Sequence, residues 1–142
     1  MATPYIEVFN RFLDKVTDYF IFDLSDEETF EYCGRLMKSA LAQISNMEHD
    51  LSDTDDETEQ FNETLSNTEI EYIAYQMVYE WVTPQVNNTA LTRQMFGTKD
   101  DKYFAQSNQI SQLRQLREDS LTRRKKIKRD WNYEHSEYFN EN

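Results

Sequence analysis

The residues that could do catalytic chemistry are few in this 142-residue chain. It has two histidines, His49 and His135, and one cysteine, Cys33. Nucleophilic catalysis needs a nucleophile, a base and a group that orients the base. Neither histidine lies in a recognisable motif with Cys33 or a serine, and the sequence has no P-loop, dinucleotide-binding or zinc-protease motif. We therefore expect a protein that is not an enzyme and has no cofactor, with Cys33 as a buried apolar group.

A calcium site is a second chemical possibility, in the segment 48–59, where seven of twelve residues are acidic. Asp53, Asp55 and Glu57 alternate as oxygen ligands do in an EF-hand loop. That loop requires glycine at its sixth position, and Thr58 stands there when counting starts at Asp53. We expect an ordered, solvated loop without a metal.

The basic residues are concentrated near the C-terminus of a chain whose formal net charge is −12. Residues 1–101 contain six basic and 21 acidic side chains, whereas residues 102–142 contain nine basic and six acidic ones. The densest run, 123–129, could neutralise several nucleic-acid phosphates. The acidic remainder of the chain would repel DNA within a Debye length of about 8 Å, so a protein-docking face or a solvated face is favoured. A basic helix that packs back on its own acidic body is the other interpretation.

Helices are the elements that should position these residues. Two glycines and two prolines are too few for the frequent turns of an all-β protein. The 20 aromatic residues supply enough apolar area for a single core. We predict an all-α fold, a small bundle of about four to five helices with a long, projecting basic C-terminal helix. Residues 1–121 would form the body, with an acidic loop near 46–66, and residues 122–142 a docking extension.

Capping residues and apolar spacing place the first two helices. The first is predicted to have Thr3 as its N-cap and Pro4 at its first position. Its apolar stripe recurs every three or four residues and consists of Ile6, Phe9, Leu13, Val16 and Phe20. The second is predicted to begin after Ser25, which forms a capping box with Glu28, and to run to about Ser45.

Three further helices are predicted in the remainder. Ser66 or Thr68 would cap the third, and Pro84 would end it because proline removes a helical hydrogen bond. Another helix would continue from there to Gly97, a favourable C-terminal residue. The last helix would span about 107–131.

The third helix is apolar nearly all round, so it is either central or covered by another molecule. We assign a subunit interface to three of its residues, Tyr72, Tyr75 and Tyr79.

The last helix changes character at Leu121. Before this residue it has an apolar stripe, and after it the residues are basic, with Ile127 and Trp131 as isolated apolar anchors on one face. Arginine and tryptophan are enriched at interface hot spots. We predict that the partner-binding residues are Arg123, Arg124, Lys125, Lys126, Ile127, Lys128, Arg129 and Trp131. A chain truncated after Leu121 is expected to stay folded.

Five stretches carry a resemblance to a known family: Ala2–Tyr19, Asp50–Glu57, Met77–Asn87, Lys99–Asn108 and Leu113–Glu118. They resemble small virion proteins of tailed phages of Gram-positive hosts. The resemblance extends over the chain to about residue 133, and it is to head–tail connector proteins, also called adaptors. It implies an α-helical homo-oligomeric ring beneath the portal protein of a filled capsid.

The resemblance also implies partners and a location. The ring would join the portal protein to a stopper or tail-completion protein, and DNA would pass through its channel without sequence-specific binding. The protein would be in the host cytoplasm during assembly and then in the virion neck. We expect no membrane association, because no stretch approaches the ~18 uncharged apolar residues needed to cross a bilayer. Two alternatives stay open: another neck component such as a stopper, or an acidic phage-encoded inhibitor that mimics DNA or blocks a basic protein.

Overall fold

The computed structural model describes residues 2–16, 25–96 and 101–135, with the side chains of 88–110 outside the description. Its helices are α1 (Tyr5–Val16), α2 (Asp26–Gln43), α3 (Asn67–Phe96) and α4 (Asp101–Glu134). Three two-residue strands, β1 (Thr3–Pro4), β2 (Thr54–Asp55) and β3 (Gln60–Phe61), form an antiparallel sheet in the order β1-β3-β2. The predicted all-α class is confirmed, and the small sheet is an addition that the sequence did not indicate.

Thr3 does not cap α1, so this prediction is wrong. Its backbone pairs with Phe61 of β3, and the helix begins at Tyr5. The Thr3 hydroxyl donates to the Glu63 carbonyl at 3.1 Å and accepts the Leu65 N–H at 2.8 Å. The hydroxyl therefore ties the N-terminus to the segment that precedes α3.

The buried face of α1 is rotated from the predicted stripe. The residues that it buries are Tyr5, Val8, Phe9, Phe12 and Val16. Phe9 and Val16 were predicted correctly, but Ile6 is 44% exposed and Leu13 is only partly buried. Phe20 lies outside the described residues. The predicted stripe and the buried set both obey helical spacing. The buried set contains Val8 and Phe12, which the predicted stripe leaves out.

The predicted start of α2 is confirmed. The Ser25 hydroxyl accepts the Glu28 N–H at 3.1 Å, as an N-cap does. Cys33 and Met37 lie in the core, as predicted, and burial raises the pKa of the Cys33 thiol to about 11.

The start of α3 was predicted correctly, but its end was not. Ser66 and Glu69 form a full capping box: the Ser66 hydroxyl accepts the Glu69 N–H at 3.1 Å, and the Glu69 carboxylate accepts the Ser66 N–H at 3.0 Å. The helix continues through Pro84 to Phe96. Next to the proline, the Thr83 hydroxyl donates to the Tyr79 carbonyl at 2.7 Å. Tertiary packing holds this turn, because Val82 and Val86 on its two sides are buried.

The long helix α4 packs along α3 instead of projecting from the body, which corrects the prediction. Arg123 lies beside Tyr75, and Ile127 lies beside Thr68, so α4 runs antiparallel to the first half of α3. Leu113 is buried, and Leu116, Ile127 and Trp131 pack against the core. Among the described helices, none is long and apolar enough to cross a membrane.

Candidate interaction surfaces

A basic cleft lies between the first half of α3 and the second half of α4. Its volume is about 360 Å³. We define it by its lining residues, which are Asn67, Thr68, Glu71, Tyr75, Arg123, Lys126 and Ile127. The Arg123 guanidinium lies 6.0 Å from the centre of the Tyr75 ring, within the range of cation–π attraction.

Two cations of α1 border the basic cleft. Arg11 and Lys15 pair with the two oxygens of Glu71 at 2.9 and 2.8 Å, and the Lys15 ammonium lies 4.2 Å from the centre of the Tyr75 ring. Burial would raise the pKa of Glu71, but the two cations hold it below its ordinary value. Lys126 pairs with Asp130 at 2.8 Å. Four cations and two carboxylates thus meet here, which makes the cleft positive in an acidic protein.

The predicted partner-binding residues of α4 divide into two groups. Arg123, Lys125, Lys126 and Arg129 are exposed. Arg124, Ile127, Lys128 and Trp131 are partly buried. Lys128 reaches back to donate to the Asn46 carbonyl, and its ammonium lies 4.6 Å from the centre of the Trp131 ring. Both apolar anchors therefore contact the protein's own core, and only the cations of the first group face solvent fully.

The three tyrosines assigned to a subunit interface have different surroundings. Tyr72 is 1% exposed and belongs to the core, so it has almost no surface for another subunit, and its assignment is corrected. Tyr75 is partly exposed in the basic cleft. Tyr79 is also partly exposed. The interface assignment stays a prediction for Tyr75 and Tyr79.

The acidic loop contains a short hairpin, residues 54–61, which we call the acidic hairpin. Leu51 and Phe61 anchor its base in the core. Asp53 accepts a hydrogen bond from the Asn62 amide at 2.8 Å, and Asp55 accepts the Glu57 N–H at 3.0 Å. Two of the three residues considered as calcium ligands thus stabilise the turns of the loop, and the absence of a metal stays a prediction.

The tip of the acidic hairpin presents carboxylates to solvent. The Asp56 carboxylate accepts the Tyr5 hydroxyl at 2.8 Å and lies 3.3 Å from the Lys38 ammonium, and both lower the pKa of Asp56. Glu57 and Glu59 are exposed and pair with no cation among the described residues. Glu59 has a φ of 54°, a left-handed conformation that favours glycine over residues with a β-carbon.

A buried carboxylate, Glu69, is the centre of a hydrogen-bond cluster that the sequence did not reveal. One oxygen accepts the His49 Nδ1–H at 2.8 Å and the Ser66 N–H at 3.0 Å, and the other accepts the His49 backbone N–H at 3.0 Å. Burial would raise the pKa of Glu69, but these bonds hold it below its ordinary value. The bond to Glu69 in turn raises the pKa of His49.

This cluster is also the one group in the described residues that has the composition of a metal site. One ligand atom from each of Glu48, His49 and Glu69 lies within 4.8 Å of the others. Both oxygens of Glu69 already accept hydrogen bonds that fix the entry to α3, and a cation would have to displace them. The role that these contacts support for the cluster is to stabilise the start of α3.

Among the described residues, neither histidine is hydrogen-bonded to a serine hydroxyl or to the Cys33 thiol. His49 donates to Glu69, while the His135 Nδ1–H donates to the Trp131 carbonyl at 2.8 Å. The thiol of Cys33 is buried and its pKa is raised. These histidine contacts stabilise a loop and a helix end.

The chain has no match among family models, curated proteins or solved structures. The resemblance to connector proteins therefore stays a prediction. Charge segregation is the sequence signal that pointed to both candidate surfaces, since it identified the basic run and the acidic loop. Tyr75 was assigned to an interface from the sequence, whereas the contributions of Arg11 and Lys15 to the cleft were missed, because they depend on how α1 and α3 cross.

Proposed function

We propose that this protein is a head–tail connector that forms a ring beneath the portal protein of a tailed phage and links the capsid to a stopper or tail. The observation that carries the proposal is the presence of two exposed surfaces of opposite charge on one small helical body. The basic cleft contains Arg123 and Lys126, and the acidic hairpin contains Glu57 and Glu59. A head-to-tail ring needs two different patches on each subunit, because each copy offers one patch to each neighbour. The resemblance described above supports the same function.

The one tyrosine that lines the cleft, Tyr75, is compatible with such a contact. Tyr75 lies between Lys15 and Arg123, which restrict its ring in the free subunit. A side chain that is ordered before binding loses less conformational entropy when a neighbouring subunit covers it.

Virion composition tests the proposal directly. Particles of the phage that encodes this chain are purified and analysed by mass spectrometry, with a non-structural phage protein as the control for contamination. We expect the chain in mature particles at a constant ratio to the portal protein, and ring-shaped density beneath the portal in a cryo-EM reconstruction. Reproducible absence of the chain from mature particles would refute the connector function.

An inhibitor of a basic or DNA-binding protein is the second candidate. The exposed carboxylates of the acidic hairpin and the net charge of −12 favour it. This candidate predicts a monomer or dimer that is absent from particles and that co-purifies with a basic host or phage protein. The virion experiment therefore separates the two functions.

A further inference from the structure

We propose that the basic cleft receives the acidic hairpin of a second copy of this chain, so that Glu57 and Glu59 of one copy approach Arg123 and Lys126 of the next. This inference rests on the proposed ring and specifies which surfaces close it. We infer that a second copy occupies the basic cleft, because the acidic hairpin of the same chain carries the negative charge that complements it.

The two surfaces do not neutralise each other within one subunit. In the described residues, Glu71 pairs with Arg11 and Lys15, and Lys126 pairs with Asp130. Within the described parts of the chain, the acidic hairpin has a single ion pair, between Asp56 and Lys38 of α2. Each surface thus keeps charge that a neighbouring copy can match, and a contact between different patches continues from copy to copy until a ring closes.

The backbone at the hairpin tip holds Glu59 in a left-handed conformation, and its carbonyl accepts the Tyr5 N–H at 2.9 Å. A glutamate with φ of 54° is less favourable than glycine at the same place. Such conformations persist where the surrounding structure enforces them and are concentrated at functional sites. A carboxylate at this position adds negative charge to the tip, which is the property that the proposed contact uses.

Contacts of this kind respond to salt and to charge reversal. Glu57, Glu59, Arg123 and Lys126 are all exposed, so their attraction is screened by ions. Raising NaCl from about 50 mM to about 500 mM should therefore weaken self-association several-fold.

Cross-linking of two variants, each with one added cysteine, tests the contact. Glu57→Cys and Arg123→Cys are purified separately as full chains, mixed at low salt, and treated with a short bis-maleimide. Native Cys33 is fully buried and does not interfere. We expect several-fold more cross-linked dimer than in a control mixture of Glu31→Cys with Arg123→Cys, because Glu31 is an exposed residue of α2 outside both surfaces. The double variant E57C/R123C should give a ladder of higher oligomers.

Charge reversal supplies the second measurement. E57K/E59K and R123E/K126E should each reduce self-association in sedimentation experiments, and a mixture of the two should restore it. Glu59→Gly should raise the melting temperature and reduce association, which separates the role of the carboxylate from folding. Circular dichroism checks that each variant is folded.

The outcomes distinguish this inference from the proposed function. Cross-linking no greater than in the control mixture, or no restoration by the mixed charge-reversed variants, overturns the hairpin-to-cleft contact. If the chain is nevertheless present in mature particles, the connector function stands and its ring uses other surfaces. If the contact forms but the chain is absent from particles, the contact stands and the connector function fails.

Discussion

Replacing Glu69 by glutamine is expected to destabilise the protein strongly for so small a change. The Glu69 side chain is 1% exposed and its oxygens accept three hydrogen bonds, two from His49 and one from Ser66. Glutamine has the same shape, but one oxygen becomes an amide N–H₂ group, which only donates. Whichever way the amide is oriented, at least one of the three donors then faces another donor inside the protein.

The expected cost follows from these bonds. Hydrogen bonds to a charged group contribute about 1.5–3 kcal/mol each, and a buried donor without an acceptor costs about 1–3 kcal/mol. Since some bonds survive in the variant, we expect the free energy of unfolding to fall by about 2–4 kcal/mol.

The loss should depend on pH in a defined direction. The folded-state pKa of Glu69 lies below its ordinary value of 4.5, so its contribution is present above pH 4.5 and is lost as pH falls through the lower, folded-state pKa. The folded-state pKa of His49 lies above 6.5, so its contribution is present below pH 6.5 and is lost as pH rises through the raised value. The stability difference between wild type and E69Q should therefore be largest between about pH 4.5 and 6.5.

Urea denaturation at a series of pH values measures this difference, with Glu31→Gln as the matched control, since Glu31 is an exposed carboxylate of α2. The control should change stability by less than about 0.5 kcal/mol. His49→Ala should abolish the decrease on the alkaline side. A destabilisation of E69Q that is small, or constant from pH 4 to pH 9, would show that Glu69 is not held as a paired carboxylate.

Three further changes have definite expected outcomes. Pro84→Ala should stabilise the protein by about 1–3 kcal/mol in thermal unfolding, because it restores a helical hydrogen bond; a loss of stability would mean that packing requires the proline. Cys33→Ser should lower the free energy of unfolding more than Cys33→Ala does, since the serine hydroxyl would be buried beside apolar groups. Native Cys33 should react with a thiol reagent only after the protein unfolds. Truncation after Leu121 should lower the free energy of unfolding by about 2–3 kcal/mol, because it removes the core contacts of Ile127 and Trp131; an unchanged unfolding midpoint would refute those contacts.

Local signals in the sequence predicted the starts of α2 and α3 correctly. The serines at positions 25 and 66 cap α2 and α3 because the bonds that they make join residues three apart, and such bonds depend on local spacing alone. The helical class followed from the scarcity of glycine and proline and from the abundance of aromatic residues.

Contacts between distant residues explain what the sequence did not predict. The sheet joins strands of two residues, which are too short to show an alternating pattern, and Thr3 acts on residues about 60 positions away. The break at Pro84 did not occur because core packing on both sides outweighs the missing hydrogen bond. His49 and Glu69 lie 20 residues apart, and nothing in their local sequence indicates that they meet.

The placement of α4 changes what its basic residues can contribute to a partner. Ile127 and Trp131 were expected to be free anchors, but both pack on the core, and Lys128 is tied to Asn46. The residues left fully exposed are cations, which attract a partner over distance and set its orientation more than they add affinity. A contact made through this face should therefore form quickly, weaken with salt, and need an acidic surface opposite it. The acidic hairpin of a neighbouring copy meets this requirement, and a portal surface would have to be acidic to compete for the same cations.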